Sequence, residues 1–266
     1  MAVKKRLLAC LLTVAMLVSF FPYPAFAADA GDVIYRDYNE SSQTWNENAT
    51  RGAGTYTLVS NNDITWGDDG HDGWYVLNAD TQFGDRISVK REVHLILMDG
   101  YTLTANLGIT VEEGNSLTIY AQSNGAGALV AESKSDDSAG IGSNYGAGIG
   151  GGADANGVAN SAAGKISITS GTVVATSSGY GVGIGGGGAH GDDDIISITG
   201  GGVTAQGGNV GISCNNMIEI SDGSVTAQGG SVGIRGDITV EIRGGAVTAD
   251  GADGGILSSN AITITG

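Results

Sequence analysis

Proline, cysteine and positive charge are all scarce in this chain, and each scarcity excludes something. The 266 residues hold two prolines, Pro22 and Pro24, both close to the N-terminus. Polyproline linkers are therefore excluded, and every later residue keeps the backbone N–H that a β-ladder needs. Cys10 and Cys214 are the whole thiol content. With Cys10 in a leader, no intramolecular disulfide can form, so stability must come from packing and hydrogen bonds. Lys and Arg number 12 against 28 Asp and Glu, a formal net charge of −16. So acidic a chain repels phosphate backbones and anionic lipid, which excludes nucleic acid as a partner. Aromatic residues also run out, because no Trp, Tyr or Phe follows Tyr180.

The N-terminus reads as an address. Lys4, Lys5 and Arg6 precede an apolar stretch from Leu7 to Phe21, and Ala25-Phe26-Ala27 supplies an A-x-A cleavage site. This is the layout of a secretory signal peptide over residues 1–27, cut after Ala27. The apolar stretch is too short for a comfortable membrane span, and none is expected once it is removed. Leu7-Leu8-Ala9-Cys10 resembles a lipoprotein box, but only three residues separate Arg6 from Cys10, so no hydrophobic region precedes the thiol. The expected location is secreted or cell surface.

What the chain has in excess is glycine, 47 residues, and a repeat. Ile196-Ser197-Ile198-Thr199, Ile218-Glu219-Ile220-Ser221, Val240-Glu241-Ile242-Arg243 and Ile262-Thr263-Ile264-Thr265 recur every 22 residues. Val203, Val225 and Val247 keep step, as do Ala205, Ala227 and Ala249, and Ile212, Ile234 and Ile256. Within a unit, apolar and polar residues alternate in three short bursts separated by glycine corners at Gly200 to Gly202 and Gly207-Gly208. Period-two bursts of this length are strands. Stacking coils about 4.8 Å apart sets each residue on its counterpart one period away, so like columns fill like places. The expected fold is an all-β parallel β-helix, about 22 residues and three short strands per coil.

Upstream the period loosens. Ile166-Ser167-Ile168-Thr169 with Val173-Val174-Ala175 is the same unit, displaced by an insertion within Gly179 to Asp194. Leu117-Thr118-Ile119-Tyr120 and Leu95-Ile96-Leu97-Met98 begin earlier coils. The expected organisation is a signal peptide at 1–27, an irregular segment at 28–54, a cap with the first strands at 55–92, and the β-helix at 93–266. Because the sequence stops just after a first strand, at Gly266, a continuation into further surface-anchoring modules is expected.

Gly73-Trp74-Tyr75-Val76-Leu77, His94 to Gly100, Asn115 to Tyr120 and Gly146 to Gly152 resemble segments of exported glycine-rich repeat proteins of anaerobic, mostly Gram-positive gut bacteria. The Ile-Thr-Ile strand, Gly-Gly turn and Val-Thr-Ala strand are similar to the β-helical carbohydrate-binding domains of cellulolytic clostridia, which have a pectate-lyase-like fold. The likeness spans roughly residues 55–266. It implies a right-handed helix and a surface protein in contact with polysaccharide, such as plant or host glycans.

Chemistry is harder to locate. Sugar faces stack on exposed aromatic rings, which nominates Trp66, Trp74, Tyr145 and Tyr180 for carbohydrate binding. Oxygen ligands for Ca²⁺ are densest at Asp68, Asp69 and Asp72, beside Asp63 and His71, and at Asp192, Asp193 and Asp194. An EF-hand fails there, with Gly70 third and Ala79 twelfth from Asp68, and either cluster also reads as a solvated acidic corner. Glu219 and Glu241 stack on an outer face near Arg235 and Arg243, and a β-helix lyase would use such carboxylates with an arginine base. The same column holds Ser197 and Thr263, so a surface charge pair is the plainer reading. Gly183 to Gly188 lacks the Lys-Ser/Thr of a phosphate loop, the three histidines lack ligand spacing, and Cys214 occupies a corner held by Gly236 and Ser258 in later coils. The expected function is a non-catalytic surface module, an adhesin or display stalk that binds polysaccharide and needs no cofactor beyond an optional Ca²⁺. A β-helical lyase or glycoside hydrolase is the alternative.

Overall fold

The computed structural model describes residues 31–68, 72–133, 146–152, 162–186 and 194–266. The leader, Asp69, His71, Tyr145, His190, Asp192 and Asp193 lie outside these ranges. One coil shows the plan. A first strand, Ile195–Ile198, turns into a second, Gly202–Gly207, then a third, Val210–Cys214, before Met217–Ile220 opens the next coil. Strands of each kind pair in parallel with those of neighbouring coils, giving sheets of nine first strands, seven second strands and eight third strands. The register is the one the repeat dictates, with Ile196 on Ile218, Val203 on Val225 and Ile212 on Ile234. The chain is a parallel β-helix.

The three inner faces meet in one core. Ile196, Ile198, Ala205, Ile212, Ile218, Ile220, Ala227 and Ile234 are all fully buried within it. Each buried Ile contributes about 1.5–3 kcal/mol relative to exposure, so a column of them outweighs any single surface contact. The interior is thin where the third strand passes the second. A Cβ on Gly211 would lie 2.6 Å from Gln228 N and from Gly233 O. The corner after the first strand needs the left-handed backbone, with φ of 80°, 95° and 81° at Gly201, Gly223 and Gly245.

Towards the N-terminus the columns give way to large rings. Residues 55–92, expected as a cap with first strands, already belong to the three sheets through Thr57–Leu58, Thr65–Trp66, Trp74–Leu77, Thr81–Phe83 and Ile87–Val89. Trp66, Tyr75 and Phe83 are buried inside them, Trp66 stacked on Tyr75 at 5.1 Å and edge-on to Phe83 at 5.9 Å. Leu117 pairs with Ile166, and Ile166 with Ile196, so the two coils between them are longer than the rest. Arg86 ties this stretch together. Its guanidinium donates to Thr110 Oγ1, Leu107 O at 2.6 Å and Ala147 O at 2.8 Å. Burial pulls it down to about 10 from its usual range.

The segment expected to be irregular, 28–54, contains a β-hairpin. Val33–Asn39 and Thr44–Arg51 pair antiparallel and lie on the outer face of the first-strand sheet. Val33, Tyr35, Ala49 and Tyr56 bury against Val76, Ile96, Met98 and Tyr120 in a second, smaller core. The reading failed because Thr44–Arg51 is polar at almost every position, and its partner surface is outward residues of coils far along the chain.

Candidate functional site

The outer face of the first-strand sheet carries one continuous column. Register places Trp74, His94, Thr118, Ser167, Ser197, Glu219, Glu241 and Thr263 in line, one per coil. Just after each strand runs a parallel row of Thr169, Thr199, Ser221 and Arg243, whose N–H groups donate to the preceding coil. Hydroxyl groups thus pave the middle of the face at the coil spacing of about 4.8 Å.

The hairpin is fastened over the aromatic end of this column. Trp74 stacks on His94 at 4.3 Å and 11° and lies 5.7 Å from Tyr120, with Tyr35 tilted against Trp74 and edge-on to Tyr120. The Arg51 guanidinium sits 4.6 Å over the Trp74 ring. Gln122 Nε2 donates to Ile34 O, and Ser123 Oγ to Glu47 O. Further along, Trp45 reaches the corner at Gly200, where a Cβ would stand 2.9 Å from its Cη2, so only glycine leaves room for the ring.

Between the hairpin and the sheet runs a groove, two cavities of about 340 and 380 Å³ that share Tyr38, Glu40, Ser197 and Thr199. Asp37, Tyr38 and Glu40 form the hairpin wall, and Thr118, Ser167, Ser197, Thr169 and Thr199 the floor. Glu92, His94, Tyr120 and Lys165 line one part, and Gln43, Glu219, Ser221 and Arg243 the other. Burial, with a smaller opposing pull from Tyr38 N–H and His94, raises the Asp37 carboxyl above its usual range. His94 is pushed down by burial, against the pull of Glu92 and Asp37, so its imidazole is neutral near pH 7. Its Nδ1 lies 3.2 Å from Tyr120 Oη, whose own ionisation burial pushes far up.

At the other end Arg243 binds both stacked carboxylates. It donates to Glu219, and through Nε and Nη2 to Glu241 at 3.0 and 2.9 Å. The hydrogen bonds to Glu241 and the charge of Glu219 raise the guanidinium further, away from any role as a base. Arg235, also considered for that role, lies apart on a third strand and bonds Ser213 Oγ.

The residues nominated from sequence do not converge here. Trp66 is inside the solenoid, fully buried, and offers no ring to a sugar. The Trp74 ring is already engaged, by His94 and Arg51. Tyr180 is exposed, on a coil corner away from the groove, and Tyr145 lies outside the described residues. Asp68 pairs with Arg91 at 3.0 Å, and Asp72 is exposed with a φ of 52°. Asp194 is not the solvated corner expected but fully buried. Its Oδ2 accepts from Asn215 N, its Oδ1 has no hydrogen-bond partner among the described residues, and burial raises it to about 6. Cys214 is buried beside it, donating to Asp194 O, with the thiol pushed up to about 12. Among the described residues no three His, Cys, Asp or Glu side chains group to hold a metal ion. Asp37, Tyr38 and Glu40 were missed, although the alternation of Val33 and Tyr35 with polar residues is a weak strand signal. Comparison with family models, curated proteins and solved structures returns no match to this chain.

Proposed function

We propose that the chain is an exported, non-catalytic β-helix module of the cell surface that binds a polysaccharide in the groove beneath its N-terminal hairpin. The observation that carries this reading is the hydroxyl-paved floor facing Tyr38. A linear glycan needs repeated hydrogen-bond partners at a regular rise and an aromatic edge to lie against, and the groove offers both. The resemblance to exported repeat proteins supports the surface location. Against the lyase alternative stands Arg243, the arginine nearest a carboxylate pair, which is neutralised by the two glutamates it bridges.

The test is binding of the purified chain to an array of plant and host glycans, with calcium and with chelator, while chain cleavage is monitored. Saturable binding without new reducing or unsaturated ends, abolished by filling the floor with Thr199→Trp, supports the reading. Cleavage would transfer the protein to the enzymes. Binding that Thr199→Trp leaves intact would move the site off this groove.

A further inference from the structure

The groove's charge narrows its ligand, an inference that rests on the glycan reading above. Arg243 is consumed by Glu219 and Glu241, one guanidinium between two carboxylates, so that end offers no free cation and stays net negative. On the hairpin wall, Asp37 and Glu40 face the floor, and among the described residues neither forms an ion pair. Glu92 sits at the same end, near the neutral ring of His94 at 3.4 Å. Among the described residues Lys165 is the one lysine or arginine on this stretch of lining, against three carboxylates. A uronate or sulfate polymer laid in the groove would bring its anions against Asp37 and Glu40, which costs binding in a partly desolvated cleft.

We propose that the groove takes an amino-bearing glycan, with ammonium groups drawn to Glu40 and Asp37 and ring hydroxyls hydrogen-bonded to the Ser and Thr floor. Charge on the wall sets the class of sugar, and the uncharged floor sets its path along the coils.

Three hexasaccharides distinguish the possibilities by titration calorimetry on the purified chain: β-1,4-glucosamine, its fully N-acetylated form, and α-1,4-galacturonate. The glucosamine hexamer should bind about tenfold more tightly than the acetylated one at low salt. The advantage should shrink severalfold at about 0.5 M salt, where the Debye length falls to about 4 Å. Glu40→Gln, an exposed change that leaves the hairpin's buried contacts alone, should remove about threefold of the advantage by weakening the glucosamine hexamer more than the acetylated one. Equal binding of the two glucosamine forms, or tighter binding of galacturonate, overturns the charge assignment and leaves the glycan groove standing. If no hexamer binds, or if Thr199→Trp fails to abolish what binding there is, both readings fall.

Discussion

From Ile196 onward each coil repeats the one before it, whereas before Ile166 the coils differ in length and large rings interrupt the columns. In the regular part an Ile rests on an Ile and a Val on a Val, and the same contact recurs from coil to coil. In the earlier part Trp66 is stacked on Tyr75, Arg86 stitches three backbone segments, and a hairpin crosses the outside of the sheet. Repetition supplies a rod with a plain outer face. The groove exists because a non-repeating element, the hairpin, was laid over that face.

The largest expected effects test the two kinds of core. Ile220→Asp places an unpaired charge in a column with no polar partner and should cost more than about 4 kcal/mol in urea unfolding. Arg86→Met removes the donor to Leu107 O and Ala147 O and should cost about 3 kcal/mol, with Arg86→Lys restoring little because an ammonium lacks the planar fork. If Arg86→Met proved harmless, the irregular coils would be held by their rings alone.

Asp194 gives a pH signature to the boundary between the regions. Its folded value of about 6 lies above the unfolded 3.8, so the stability linked to its protonated form is present below pH 4 and lost as the pH rises through 6. Asp194→Asn should therefore stabilise the chain at pH 8 by up to about 3 kcal/mol and do nothing at pH 3.5. A pH-independent effect would mean that the carboxyl is not the buried group it is taken to be. Tyr35→Ala should free the hairpin at a cost of about 2 kcal/mol. Amide exchange would then lose protection over residues 33–51 and keep it over 196–242. Loss of protection in both would make the hairpin part of the solenoid's own stability. Thr226→Asp, on the outer face of the second-strand sheet, should stay within about 1 kcal/mol. A cost equal to that of Ile220→Asp would reverse the inward and outward assignments.

The regular coils were legible because their contacts are periodic: spacing alone tells Ile218 what it touches. Gly201 and its counterparts were legible as corners for the same reason. The site was not, because each of its parts depends on a distant partner. Asp37 and Glu40 look like loop acids until Ser197 and Thr199 are brought beneath them. Arg86 follows Asp85 and reads as a surface charge, since nothing local announces the carbonyls of Leu107 and Ala147. Trp66 reads as a sugar platform by its type and is core by its strand. Asp194 ends a run of three aspartates that suggests solvent, yet the corner beside Cys214 encloses it.

The close passage of the third strand past the second at Gly211 has a consequence for inheritance. With backbone against backbone there, a coil has no slack in which to take up single residues except at its corners. Change in length therefore comes in two ways, additions at a corner or the copying of an entire unit. A duplicated coil meets the surface its template met and folds without further adjustment, so recombination within the repeat can lengthen or shorten the rod while the hairpin and its groove stay as they are.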